Sequence, residues 1–168
     1  MNFRKLLTVS ILSVLLATGC SRVHRANTHN ESDHQSIQQI AERLRLVDSL
    51  EYDLIRYVKS DTIQWAQHDV SFWYAYKYRN CQDTTLIPLT NHTRLHEHIC
   101  LYDGTMLIDI VRPYNPDNEP LAYKVILPEM HRGDTIRLLI PPYLGYGLDG
   151  TEFIPPKTNI YVELTCRL

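Results

Sequence analysis

Along the first third of the chain the apolar residues Ile37, Ile40, Leu44, Val47, Leu50, Leu54 and Val58 recur at steps of three and four, the period of one helix face. Ser32 with Gln35 has the form of a capping box, so the spacing predicts an amphipathic helix over 32–60. A stripe that long needs a cover, either the body of the same chain or a second copy forming a homodimer through residues 32–60. Glu51 interrupts a strict heptad along it. Beyond Asp61 the period becomes two: Val70, Phe72, Tyr74, Tyr76 and Tyr78 alternate with Ser71, Trp73, Ala75 and Lys77, which predicts an antiparallel strand. Arg94 to Tyr102 alternates again, Asp103-Gly104 supplies a turn, and Met106 to Val111 reads as the return strand of a hairpin. Leu121 to Leu127 and Thr135 to Ile140 are further strand candidates, and Asn159 to Leu168 closes the sheet. Arg112 to Pro120 holds three prolines and reads as a loop. The predicted fold class is α+β, a long N-terminal helix followed by an antiparallel β-sheet domain over 69–168.

The N-terminus reads differently. Arg4 and Lys5 precede an apolar run, Leu6 to Ala17, that is too short to cross a bilayer and has the form of a secretion signal. It ends in Leu16-Ala17-Thr18-Gly19-Cys20, which resembles the lipobox of bacterial lipoproteins. The resemblance implies a signal peptide over 1–19, lipidation of Cys20, and a flexible tether over 20–31. Acyl chains on one cysteine anchor a protein to the membrane surface without a spanning segment. Ser21 and Arg22 follow Cys20, with no acidic run, and by resemblance to sorting patterns this implies an outer-membrane lipoprotein facing the periplasm.

The 168 residues carry 17 Lys and Arg against 19 Asp and Glu, a formal charge of −2 that becomes −4 once Arg4 and Lys5 leave with the signal. Without a basic cluster in the body there is no electrostatic footprint for nucleic acid. Cys81, Cys100 and Cys166 remain for the folded domain; they contain no CxxC, and buried thiols or one disulfide among them are both open. His96 and His98 share one face of a predicted strand with Glu97 opposite, but no further ligand at metal spacing completes a set, and no metal is expected there.

The most informative segment is Pro141 to Lys157, PPYLGYGLDGTEFIPPK, a connection longer than two neighbouring strands need. Tyr143, Leu144, Tyr146, Leu148, Phe153 and Ile154 are too apolar for a solvated linker, so the loop either folds over an apolar hollow or plugs the open face of the sheet. Ile140-Pro141-Pro142-Tyr143-Leu144-Gly145-Tyr146-Gly147 followed by Ile154-Pro155-Pro156 resembles the signature of FKBP-type peptidyl-prolyl isomerases. The resemblance extends back through Met130, Gly133 and Arg137 to Asp103-Gly104-Thr105. Together with the lipobox and the helix, it is also similar to lipoproteins of Bacteroidetes linked to gliding motility and protein secretion.

The FKBP resemblance implies that Tyr146 borders a proline pocket and offers its hydroxyl to the substrate carbonyl, with Phe153 and Ile154 at the rim and Leu107, Leu121 and Val162 as apolar lining. Its partners would be proline-containing protein segments, and no cofactor is required. The chain also departs from the pattern. A pocket tyrosine is replaced by Glu97, a Phe-Asp pair by Leu107 and Ile108, with Asp109 one residue away, and the helix bearing a tryptophan floor is expected to be reduced to Val125-Ile126-Leu127-Pro128-Glu129. Two function classes follow: an anchored prolyl isomerase or folding helper, and a catalytically weak FKBP-like binding module in an envelope assembly.

Overall fold

The computed structural model of the chain describes the backbone over 20–167 and side chains over 35–166, so the expected signal peptide and the side chain of Cys20 lie outside the described residues. Helix α1 runs from Cys20 to Ser60. The segment 20–31, expected as a tether, is therefore helical: it contains neither glycine nor proline, and nothing stops the helix from propagating upstream of Ser32. The chain divides into two compact units, one ending at Val47 and one comprising residues 48–168. In the first unit Ile37, Ile40 and Leu44 are exposed, whereas in the second Leu50 and Leu54 are buried. Within the second unit, the apolar stripe is thus covered by that unit's own body.

Within the second unit, β1 (Ala66–Gln67), β2 (Trp73–Tyr78), β3 (Arg94–Cys100), β4 (Met106–Pro113), β5 (Thr135–Ile140) and β6 (Ile160–Arg167) form one sheet in the order β1-β2-β5-β6-β3-β4. Every pairing is antiparallel. The predicted hairpin is β3–β4, with Glu97 opposite Ile110 and His98 opposite Asp109. Alternation puts Leu95, Glu97 and Ile99 of β3 and Ile160, Val162, Leu164 and Cys166 of β6 on the buried face, where Ile136, Leu138 and Ile140 of β5 join them. Cys81, Cys100 and Cys166 are free thiols.

The segment expected as a strand over Leu121 to Leu127 is instead helix α2, Leu121–Ile126, continued by a 3-10 turn over Leu127–Glu129. Pro120, extended at φ −50°, ψ 146°, stands at its N-cap and lends the first turn its carbonyl for Tyr123 and Lys124. Ala122, Tyr123 and Ile126 are buried while Leu121 and Lys124 face out, a helical spacing that brings this short element onto the core. The last turns of α1 meet the same body: Tyr57 stacks on Tyr102 with centroids 4.4 Å apart, and the Asn159 side chain donates to the Leu50 carbonyl at 2.9 Å.

Candidate functional site

The β5–β6 connection is built around tight local bonds. Its 3-10 turn Pro142–Leu144 is closed by Gly145 N–H donating to Pro142 O at 3.1 Å, and Gly147 N–H reaches the same carbonyl at 2.8 Å. Gly147 sits at φ +80°, a conformation that costs other residues energy, and turns the chain directly after Tyr146. Further on, Gly150 at φ +71° lies where a Cβ would come within 2.3 Å of the Ile154 carbonyl oxygen, so only glycine fits. Thr151 then closes a turn: its N–H donates to Ile154 O at 2.8 Å and its Oγ1 accepts from Phe153 and Ile154 N–H. This turn directs Phe153 outward, 60% exposed, and Ile154 into the core.

Between this loop and the β3–β4 hairpin lies a cavity of about 690 Å³, lined by Leu107, Ile108, Ile110, Tyr146, Thr151 and Phe153 together with Glu97, Asp109, Arg112, Pro113, Asn115 and Asn118. Its polar wall is one cluster. Arg112 donates from Nε and Nη2 to both Glu97 oxygens at 2.9 and 2.6 Å, and from Nη1 and Nη2 to both Glu119 oxygens at 2.7 and 2.6 Å. A further contact from Nη1 to Pro113 O at 3.3 Å occupies the last of its five N–H groups. The Asn115 N–H completes the cradle on Glu119 at 2.9 Å. Both carboxylates are buried, which is tolerable only because this guanidinium forks between them. Tyr146 packs beside the cluster; burial, and then the negative charge of Glu97, push its phenol up to about 12, so it remains a hydrogen-bond donor. Tyr123 of α2 is fully buried next to it, and the two phenols neighbour one another, each raised by burial first.

No family model and no curated protein matches the sequence, but solved structures match its fold. A peptidyl-prolyl cis-trans isomerase from Pseudomonas syringae pv. tomato superposes with a TM-score of 0.56 at 18% identity over 70% of this chain and 89% of that one. FkpA from Escherichia coli gives 0.56 at 15% identity, over 99% of this chain and 82% of its own. The chain has the FKBP fold. AtFKBP13 agrees, with a TM-score of 0.51 at 15% identity over 61% of this chain and 95% of its own.

On this FKBP-like body the residues singled out from sequence separate into two groups. Tyr146, Leu107 and Phe153 meet at the cavity. Val162 and Ile154 are core residues, 0% and 3% exposed, and Leu121 faces out from the first turn of α2 at 47% exposure. Reading Leu121 as a strand residue would have turned it inward; the helix turns Ala122 and Tyr123 inward instead. The helix expected to be missing is present, and it carries a fully buried aromatic side chain, Tyr123, whose phenol neighbours that of Tyr146. The signal in the sequence was Pro120 followed by buried-type residues at Ala122, Tyr123, Ile126 and Met130, a helical rather than alternating spacing. Neither tryptophan lines the cavity: Trp65 meets the Tyr161 ring edge-on at 6.3 Å, and Trp73 pairs with Leu139 in the sheet. Glu97 stands on the cavity wall, and its partners Arg112 and Glu119 were not singled out from sequence at all.

The histidine pair sits on the other face of β3. His96 Nε2 lies 2.8 Å and His98 Nδ1 3.5 Å from the two oxygens of Asp109, and His98 Nε2 lies 3.2 Å from Cys100 Sγ. The hydrogen bond from His96, more than that from His98, holds the Asp109 carboxyl below its ordinary range. Asp109 is thereby engaged by histidines, and the buried carboxylate of the wall is Glu97. Among the described residues, no group of three or more such side chains is arranged to hold a metal ion.

Proposed function

We propose that this protein is a peptidyl-prolyl cis-trans isomerase of the FKBP type acting on X-Pro bonds of protein segments. The observation that carries the reading is the apolar cavity between the β5–β6 loop and the β3–β4 hairpin, with Tyr146 and Phe153 on its wall, on a fold shared with solved prolyl isomerases. Rotation about an X-Pro bond is slow because amide resonance sets a barrier of about 18–20 kcal/mol. The twisted amide has lost its charge-separated resonance form and is less polar than the planar one, so a dry, aromatic-walled site favours the transition state without acid, base or cofactor. Tyr146, whose phenol keeps its proton well beyond neutral pH, donates to the substrate carbonyl and orients it. Ile110 and Phe153, 47% and 60% exposed, form an apolar rim for the residues flanking the proline.

In this proposal the protein is a lipoprotein, tethered through acyl chains on Cys20 to the outer membrane, and its clients are envelope proteins; the lipobox-like segment before Cys20 supports it. Incorporation of a fatty-acid probe into the wild type and its loss in Cys20→Ser test the anchor. The exposed apolar rim favours, as a second reading, a module that holds proline segments without turning them. A protease-coupled isomerisation assay on a Leu-Pro peptide separates the two. We expect catalysis by the wild type and loss of about ten-fold or more in Tyr146→Ala, with the variant still folded by circular dichroism at the assay temperature, since the residue sits on a loop at the edge of the core. Peptide binding without any rate enhancement would leave the holding module; neither binding nor catalysis would remove both readings.

A further inference from the structure

The cavity touches strand β4 in an unusual way. Successive side chains of a strand point to opposite faces, so a hollow lying over one face meets alternate residues. Here Leu107, Ile108, Asp109 and Ile110 line the same cavity in unbroken succession. A bulge, which leaves Leu107 unpaired between Ile108 and Met106, accounts for Leu107 beside Ile108, but Asp109 lies in regular pairing between Ile108 and Ile110, so the hollow runs along the side of the strand as well as over its face. That side is a free edge: β4 ends the strand order and is paired only with β3 among the described residues. Every second residue along such an edge presents an unpaired N–H and C=O to whatever lies beside it. The protections along it are few: a bulge at Leu107, one charged residue, Asp109, from Met106 to Val111, and a proline only at the last position, Pro113. Ile110 and Val111 are 47% and 55% exposed beside this edge.

We propose that the chain binds its proline segment by strand addition: the residues flanking the proline pair, backbone to backbone, with the free edge of β4. This rests on the isomerase reading above and adds to it how the client is held. The occupant is specified by continuity, because the groove along Leu107–Ile110 opens into the hollow under Tyr146 without a break. Proline itself has no N–H to give to a ladder, so it must lie where pairing stops. Tyr146 lies near Glu97 and Arg112, toward the Pro113 end of β4, which sets the proline there and its flanking residues along Ile110 to Leu107. Recognition through the backbone takes many client sequences, with the rim contributing apolar contact and little side-chain selection.

The test uses the full chain and a synthetic peptide of about eight residues with one central Leu-Pro, long enough to span the strand edge. Binding should slow amide exchange at alternate residues of β4 by about ten-fold, and N-methylation of every second residue on one flank of the peptide should weaken affinity about five-fold at each, with the intervening positions within about two-fold. Binding that is indifferent to N-methylation everywhere and leaves β4 exchange unchanged overturns strand addition while the isomerase reading stands. Protection of the β4 edge that is already present without peptide and rises with protein concentration assigns the edge to a second copy and also overturns it. Absence of any binding or turnover of the peptide removes the isomerase reading and this inference with it.

Discussion

Arg112 is the most sensitive single residue in the cavity wall, and Arg112→Met is the perturbation that exposes why. In the native fold it is the one cation against Glu97 and Glu119, whose side chains are 3% and 0% exposed. Methionine retains much of the arginine stem and its packing, so the change removes charge and five donated hydrogen bonds while leaving little cavity. Breaking a buried pair from one side costs about 3–5 kcal/mol, and here two carboxylates lose their partner together, so the upper end of that range is expected at neutral pH. For a domain of this size that corresponds to a fall in melting temperature of about 15 °C or more. Urea titrations followed by far-UV circular dichroism at neutral pH measure the loss. A loss below about 1 kcal/mol would refute the account of Glu97–Arg112–Glu119 as a buried ionic cluster.

Tyr123→Phe removes a buried hydroxyl that neighbours the Tyr146 phenol while keeping the ring in the core, and should change stability by no more than about 1 kcal/mol in a denaturant titration, with isomerase activity retained. Leu54→Ala should cost about 2–5 kcal/mol because Leu54 is 2% exposed, whereas Leu44→Ala, at a position 59% exposed, should stay within about 0.5 kcal/mol. If a second copy covers Ile37, Ile40 and Leu44, sedimentation will show a reversible dimer that Leu44→Asp dissociates; a monomer at all concentrations rules that cover out. At the alkaline end, Tyr146 is pushed up to about 12 and Tyr123 is also raised well above its ordinary value, both chiefly by burial, while an unfolded tyrosine ionises near 10. The unfolded chain therefore releases protons first, and the stability present below pH 10 should drain away as pH rises toward 12, seen as cooperative loss of ellipticity with tyrosinate absorbance. Smooth ionisation without unfolding would count against their burial.

The chain alone determined what depends on local periodicity. The three- and four-residue steps from Ile37 to Val58 belong to a helix, and Thr135 to Ile140 is a strand with the bounds its alternation indicates. The Asp103-Gly104 hairpin and the apolar loop over 141–157 were legible because turn chemistry and composition act within a few residues. Tertiary structure decided the rest. A short apolar run such as Leu121 to Leu127 suits strand or helix equally until the surface it packs against selects one, and it was the helix that turned Tyr123 into the core beside Tyr146. Whether Val162 and Ile154 line a hollow or fill the core depends on the order β5-β6-β3, which leaves β6 central, and no pattern within β6 carries that information. The carboxylate of the wall was settled by register: Glu97 points inward between Leu95 and Ile99, and the β3–β4 pairing sets Arg112 opposite Leu95 on that same face, within reach of Glu97. Glu119 completes the cluster from a loop beyond the strand. The Glu97–Arg112 pair is made by strand pairing and the Glu119 contact by the return of a loop, and both are properties of the folded sheet.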